Sequence, residues 1–233
     1  MSELSERLEK IRRQRGYLLP HHGLMATAMP EVLDAYDQLY GQLAFNSRRL
    51  SEHDHELIWL AILVARSEGL ATHHVNRFLE AGGTSEEIAD LLAVTAVASG
   101  CRGWQFVERA WEPHVSGLRA ERAFAESLRR AAGDLTVEQA HLAMVSALTC
   151  LANFDGLRWA LRAAYADGVD EQHLAHALAL TMFPGSVPNF AQAARVWQEL
   201  ITEGEVSASG PFRVWAELEG QGGFDEASGK APG

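Results

Sequence analysis

Residues able to exchange protons near neutral pH stand close together in the first half of the 233-residue chain. Glu56 opens an apolar run over residues 57–65, and His73 and His74 follow a short segment around Gly69. Burial raises the pKa of a carboxylic acid, and imidazole titrates near neutral pH. These residue types predict a proton-transfer site with Glu56, His73 and His74 as its catalytic residues. The alternative is a Glu56 exposed to water, placed where the helix dipole favours a carboxylate.

The elements that carry these residues are predicted to be helices. Apolar residues recur at spacings of three and four almost everywhere, and alternating strand patterns are missing, so the predicted fold class is all-α. Ser51, Thr84 and Thr136 are candidate N-caps. The predicted helices cover residues 2–14, 30–45, 52–67, 71–81, 85–98, 102–113, 119–132, 136–152, 156–167, 171–183 and 188–202.

The helix that contains Glu56 is expected to be buried nearly all round, because nine consecutive apolar residues cannot share one face. A tight turn around Gly69 would bring the next helix, with His73 and His74 in its first turn, near the far end of the Glu56 helix. Contact between Glu56 and the histidines would then need a crossing angle, a kink or a neighbouring subunit.

An internal repeat indicates how the chain is divided. A displacement of 86 positions pairs Ala61 with Ala147 and Gly82 with Gly168, and both parts show the same order of long and short helices. Chance agreement among Ala- and Leu-rich helices is the alternative. We therefore predict an N-terminal helical lead at 1–48, a first unit bearing the site at 49–115, a second, degenerate unit at 116–203 and a poorly ordered tail at 204–233.

The residues around Glu56 resemble a known family signature. A Glu, an apolar run, a turn, a His and an A-G pair near the helix end are shared by the carboxymuconolactone decarboxylase and alkylhydroperoxidase D-like families. Glu56 matches the Glu, and His74 matches the His when Ala81-Gly82 is aligned with the A-G. The segment 16–40 and the turn at 184–189 also look like parts of double-length members. The resemblance implies an alkylhydroperoxidase D-like fold of two tandem units and a homo-oligomer, as a trimer, dimer or hexamer.

One departure from the family decides which activity the resemblance implies. Peroxidase members use a CxxC pair, but residues 67–73 contain no cysteine, so thiol peroxidase activity is rejected. What remains resembles the decarboxylase branch, which implies a lyase that decarboxylates or isomerises a small carboxylated, lactone-like molecule without metal or organic cofactor. The charged N-terminal segment, without the pattern of a secretory signal, predicts a cytoplasmic location.

The same resemblance suggests roles for individual residues. Glu56 and His74 would share the proton work, while His73, or His21 and His22 in the N-terminal lead, would orient the substrate anion. The candidate substrate-binding residues are His21, His22 and Trp104, which follows a glycine at the start of a predicted helix.

Two other classes of function stay open on the sequence. The first is a non-catalytic binding or assembly module of the same fold. The second is a metal-dependent enzyme, because His53, His55 and Glu56 together with His73 and His74 offer suitable ligands. Helix geometry argues against that metal site, since His53 and His55 point about 200° apart around a helix. We therefore predict no metal, and the family resemblance implies no organic cofactor.

Composition excludes several partners. The formal net charge of −11 disfavours binding to nucleic acid and to anionic lipid. The apolar run at 57–65 is far shorter than the roughly 18 residues of a membrane span, and the charged N-terminus lacks a secretory signal pattern. The two cysteines, Cys101 and Cys150, lie inside apolar helical patterns and are expected to be core thiols.

Overall fold

The computed structural model describes residues 3–46, 49–223 and Gly229, and within them all regular structure is helical. The chain divides into two compact units, Met1–Arg48 and Arg49–Gly233. The first unit contains α1 (Glu3–Arg15), α2 (Pro20–Ala28) and α3 (Pro30–Gly41), which continues into a π-helical turn at Gln42–Asn46. The all-α fold class predicted from the sequence is confirmed.

The second unit holds nine α-helices among its described residues. They are α4 (Glu52–Arg66), α5 (His73–Glu80), α6 (Ser85–Ala110), α7 (Ala120–Ala131), α8 (Val137–Cys150), α9 (Phe154–Ala166), α10 (Glu171–Leu180), α11 (Val187–Thr202) and α12 (Gly210–Ala216), with a 3₁₀ turn at Glu112–His114.

The centre of this unit is formed by α4 and α8, which pack against each other. Residues 55–63 of α4 and 140–150 of α8 are buried without interruption, so each helix is surrounded by other elements. This confirms the prediction that the Glu56 helix is buried nearly all round. A polar side chain on either helix is therefore held in a medium of low dielectric constant, where its charge is costly unless it is paired.

Capping side chains begin the helices around the site. The Ser51 hydroxyl accepts the Asp54 N–H at the start of α4. Thr84 and Thr136 begin α6 and α8 as capping boxes, in which Glu87 and Gln139 accept the N–H of the cap residue. These three caps agree with the sequence pattern.

Two helices expected to be separate, at residues 85–98 and 102–113, form one, because α6 runs without a break to Ala110. Gly100 and Gly103 lie inside it, because a helix glycine costs only about 1 kcal/mol and α6 packs on α4, α7 and α8. No helix was predicted before residue 30 on the C-terminal side of α1, but Pro20 is the first residue of α2. Beyond residue 204, α12 forms and Phe212 stacks on Trp197 of α11; the poor order predicted for this segment as a whole stays a prediction.

Candidate functional site

Glu56 and His74 lie in direct contact within one chain. The His74 Nδ1 atom is 2.6 Å from Glu56 Oε2, and the two residues are 1% and 3% exposed. The contact is shorter than a neutral hydrogen bond usually is, as expected for a proton held between a carboxylic group and an imidazole. Both residues were candidates from the sequence, and their contact, which with a tight turn at Gly69 would have needed a crossing angle, a kink or a neighbouring subunit, forms within one chain.

The course of the loop between α4 and α5 explains this contact. The loop is not a tight turn at Gly69 but a six-residue segment, since α4 ends at Arg66 and α5 begins at His73. Six residues can span about 20 Å, which exceeds the roughly 15 Å from Glu56 to the end of α4. α5 therefore starts beside the middle of α4 and continues back along it, so that Phe78 meets His53 at 4.9 Å between ring centroids.

Burial shifts both members of the pair toward their neutral forms. The pKa of Glu56 rises to about 7, mainly because the carboxylate loses water, although the charge of Arg77 opposes the shift. The pKa of His74 falls to about 3 through the same loss of water, with Arg77 adding to the effect. The mutual hydrogen bond serves either form of the acid, because imidazole Nδ1 can accept from a carboxylic acid or donate to a carboxylate.

The second ring nitrogen of His74 is the atom of the pair that can bond a further group. His74 Nε2 is buried and has no hydrogen-bond partner among the residues that the structure describes. When Glu56 is protonated, it donates to Nδ1 and Nε2 carries a hydrogen. When Glu56 is ionised, Nδ1 carries the hydrogen and Nε2 presents a lone pair. One proton taken up near pH 7 therefore converts Nε2 from an acceptor into a donor.

Two aromatic rings enclose His74. The Trp59 indole stacks on it, with centroids 4.4 Å apart and planes within 16°, and the His73 ring lies 4.2 Å away at 37°. Trp59 is one turn beyond His55 on α4, and its Nε1–H donates to His55 Nε2 at 3.1 Å. His73, predicted to be catalytic, is thus next to the pair, and its catalytic role stays a prediction.

Four residues around the pair were not predicted as part of the site, namely Trp59, His55, His176 and Arg77. Trp59 lies inside the apolar run at 57–65, and His55 was considered only as a metal ligand. The i, i+4 spacing of His55 and Trp59 was a usable signal, because such pairs meet on one helix face. No sequence signal connects His176 with this site, because His176 lies 121 residues from His55.

A groove of about 350 Å³ lies next to the pair along α4. Its α4 side chains include Leu60, Leu63 and Ser67, which continue the helix face that begins at Glu56. The walls are mainly apolar and come from α4, α5, α6 and the loop between α4 and α5, namely Leu60, Leu63, Val64, Ser67, Glu68, Gly69, Thr72, Val75, Ile88, Leu91 and Leu92. Ser67 has a left-handed backbone (φ 52°) and forms the C-terminal cap of α4.

His21 and His22 belong to the first unit, where they lie in the first turn of α2. His22 is fully buried; its Nδ1 accepts the Leu19 N–H at 3.0 Å, and burial lowers its pKa to about 4. His22 Nε2 is 3.3 Å from Arg15, whose guanidinium also bonds Asp37 at 2.7 Å. Both histidines therefore take part in a local cluster of the first unit, and their substrate-binding role stays a prediction.

The structure also shows the surroundings of Trp104, of the candidate metal ligands and of the two cysteines. Trp104 packs edge-to-face on Phe124 of α7, with 5.7 Å between centroids, so its substrate role also stays a prediction. Among the described residues, no group of three or more His, Cys, Asp or Glu side chains is arranged to hold a metal ion. Both cysteines are buried, and burial raises the pKa of each thiol to about 12.

No helix among the described residues combines the length and apolar character needed to cross a bilayer. Comparison with curated proteins and with solved structures produced no match. Comparison with protein families matched residues 30–112 to the Carboxymuconolactone decarboxylase family. The matched segment includes Glu56, His74 and the loop between α4 and α5, and it is the family that the motif predicted. Residues 30–112 of this chain therefore match the carboxymuconolactone decarboxylase family, and the matched segment carries the buried acid–imidazole pair.

Proposed function

We propose that the protein is a carboxymuconolactone decarboxylase-like lyase that decarboxylates or isomerises a small carboxylated molecule by acid–base catalysis. The observation that carries the proposal is the buried Glu56–His74 pair, whose outer nitrogen, Nε2, has no partner among the described residues. Its proton content changes near neutral pH, which is where a general acid or base works best.

In a decarboxylation, the bond between the substrate carbon and its carboxylate breaks, carbon dioxide leaves, and the electron pair stays on the substrate as an enolate. The enolate carbon then takes the proton of His74 Nε2, while the Glu56 proton moves to Nδ1. The pair is left as a carboxylate and a neutral imidazole, and a proton from water restores it. An isomerisation would use the two states of Nε2 in succession, first as base and then as acid.

Positive charge for the substrate carboxylate is available close by. Arg77 lies three residues after His74 on α5, on the same face, and its charge acts on both members of the pair. It is a better placed candidate than the histidines of the first unit, because it belongs to the same unit as the pair. The apolar groove along α4 would receive the rest of the substrate, and its low polarity suits loss of a charged carboxylate as neutral carbon dioxide.

Turnover of small carboxylated lactones and β-oxo acids, measured by carbon dioxide release and by deuterium incorporation from heavy water, tests the proposal. We expect Glu56→Gln and His74→Ala to abolish turnover. His173→Ala should retain it, because His173 is a half-buried histidine paired with Glu138 away from the site. For a decarboxylation that needs the acid form, kcat/KM should fall as the pH rises through about 7. Full turnover by either Glu56→Gln or His74→Ala would refute the mechanism.

A further inference from the structure

A buried chain of hydrogen bonds connects α10 to the ring that stacks on His74. His55 Nδ1 is 3.2 Å from His176 Nε2, and His55 Nε2 accepts the Trp59 indole N–H at 3.1 Å. Both histidines are buried, at 6% and 7% exposure. Trp59 in turn stacks on His74 at 4.4 Å. The chain therefore joins a helix late in the sequence to the proposed catalytic pair.

The direction of these hydrogen bonds is set by the indole. An indole nitrogen can only donate, so His55 Nε2 must be the acceptor and carry no hydrogen. In a neutral His55 the hydrogen is then on Nδ1, which donates to His176 Nε2. His176 accepts there and, when neutral, carries its own hydrogen on Nδ1. With both rings neutral, the hydrogen bond from Trp59 to His55 and the one from His55 to His176 each have one donor and one acceptor.

An extra proton on either ring breaks this arrangement. On His55 it would occupy Nε2 and face the Trp59 N–H. On His176 it would occupy Nε2 and face the N–H of His55. Either this contact is then lost, or the one ring hydrogen of His55 moves from Nδ1 to Nε2, where it faces the Trp59 N–H. Each outcome replaces a hydrogen bond by two opposed donors inside the protein, which is costly.

We propose that His55 and His176 are positioning residues of the Glu56–His74 site, which hold the Trp59 indole flat against the His74 ring while both histidines are neutral. The flat indole fixes the plane of the His74 ring and with it the direction of the hydrogen bond from Nδ1 to Glu56, so the orientation of Trp59 affects the titration of the pair. This assignment deepens the proposed function and rests on it, but the positioning itself is independent of any substrate.

The charged and titratable groups around the chain favour the neutral state. His176 meets His55 of α4, His173 of its own helix and the charge of Arg49 before α4; burial, His173 and Arg49 all lower its pKa. On α8, Glu138 is bonded to His173 at 3.0 Å. The carboxyl group of Glu56, directly after His55, is the acidic neighbour of the hydrogen-bond chain. Because the Trp59 N–H opposes a proton on His55 Nε2, we expect both rings to be neutral and the hydrogen-bond chain to be intact at neutral pH.

Nuclear magnetic resonance of the full chain tests the proposal without a substrate. The indole N–H signal of Trp59 is assigned by its loss in Trp59→Phe, and the histidine ring signals are followed against pH. His176→Leu removes the acceptor at the far end of the chain. His173→Leu is the matched control. It removes a histidine that lies one turn away on the same helix but takes no part in the hydrogen bonds between His176, His55 and Trp59.

In His176→Leu we expect the Trp59 N–H signal to move and the titration midpoint of the Glu56–His74 pair to shift, whereas His173→Leu should leave the Trp59 signal in place.

In Trp59→Phe, no donor opposes a proton on His55 Nε2. The titration midpoint of the His55–His176 pair should then rise by about one pH unit, the equivalent of one lost hydrogen bond.

An unmoved Trp59 signal in folded His176→Leu, or an unchanged histidine midpoint in Trp59→Phe, would overturn the assignment. Circular dichroism shows whether each variant is folded; if His176→Leu is not, Trp59→Phe decides alone. Failure of the proposed lyase activity is a separate result. If no candidate substrate is turned over but these shifts are observed, the lyase proposal fails and the positioning role of His55 and His176 stands. If a substrate is turned over but the shifts are missing, the positioning role fails and the lyase proposal stands.

Discussion

Replacing Glu56 with glutamine should stabilise the protein above neutral pH and have little effect in mild acid. Glu56 binds its proton more tightly in the folded chain, where its pKa is about 7, than in the unfolded chain, where it is about 4.5. Its contribution to stability is therefore present in full below about pH 4.5 and is lost as the pH rises through about 7. The difference between the two pKa values corresponds to about 3 kcal/mol, and at 3% exposure solvent screens little of it.

Glutamine has the shape of the protonated acid but does not titrate. Glu56→Gln therefore removes the loss of stability that the parent chain suffers as the pH rises. Urea unfolding followed by circular dichroism should show the variant about 3 kcal/mol more stable than the parent chain at about pH 8, and within about 1 kcal/mol of it at about pH 5. The same variant should lose lyase turnover, which would be a trade of function against stability of the kind expected at an active site.

Glu52→Gln is the matched control, because Glu52 is an exposed carboxylate one turn earlier on α4. Its effect on stability should be a few tenths of a kcal/mol and should change little between the two pH values. The reasoning would be refuted if Glu56→Gln were no more stable than the parent at about pH 8, or if its gain were the same at both pH values. Either result would mean that Glu56 is not held as a desolvated acid.

Three further substitutions test how the elements around the site are held. Ser67→Gly should stabilise by about 0.5–1 kcal/mol in urea unfolding, because Ser67 caps α4 with a left-handed backbone; a loss would mean that its hydroxyl matters more than its φ angle. Asn153→Ala should cost about 2–3 kcal/mol, since it leaves the buried Gln105 amide without its acceptor at 2.5 Å, and an unchanged thermal midpoint would contradict this. Gly83→Ala should cost about 1–3 kcal/mol, because the new methyl carbon would collide with the fully buried Phe78 ring; wild-type stability would show that the ring can move.

Much of the site was predictable from residue type and order. The motif identified Glu56 and His74, and the apolar run after Glu56 indicated a helix buried on all sides, which is what raises the pKa of the acid. The absence of cysteine between residues 67 and 73 is equally a property of the sequence. These predictions succeeded because they depend on local pattern, and burial of a long apolar helix follows from its composition alone.

The contact between the pair was not predictable in this way. It depends on the path of the loop at residues 67–72, which determines where α5 begins alongside α4. A glycine at position 69 suggested a tight turn, but loop geometry is set by the elements that the loop joins. The continuous α6 has the same explanation, since packing against α4, α7 and α8 outweighs the local cost of two glycines.

The amino-acid sequence by itself determined the helical class, the helix caps, the acid and the imidazole, because each of these follows from periodicity or from residue chemistry within a few positions. Tertiary structure alone decided that the acid and the imidazole share a hydrogen bond and that Trp59 lies against the imidazole. It also decided that His176, 121 residues away from His55, completes the chain behind that indole. The physical reason is that pKa values and hydrogen-bond direction depend on what surrounds a group in space, and those surroundings are assembled only when distant helices pack.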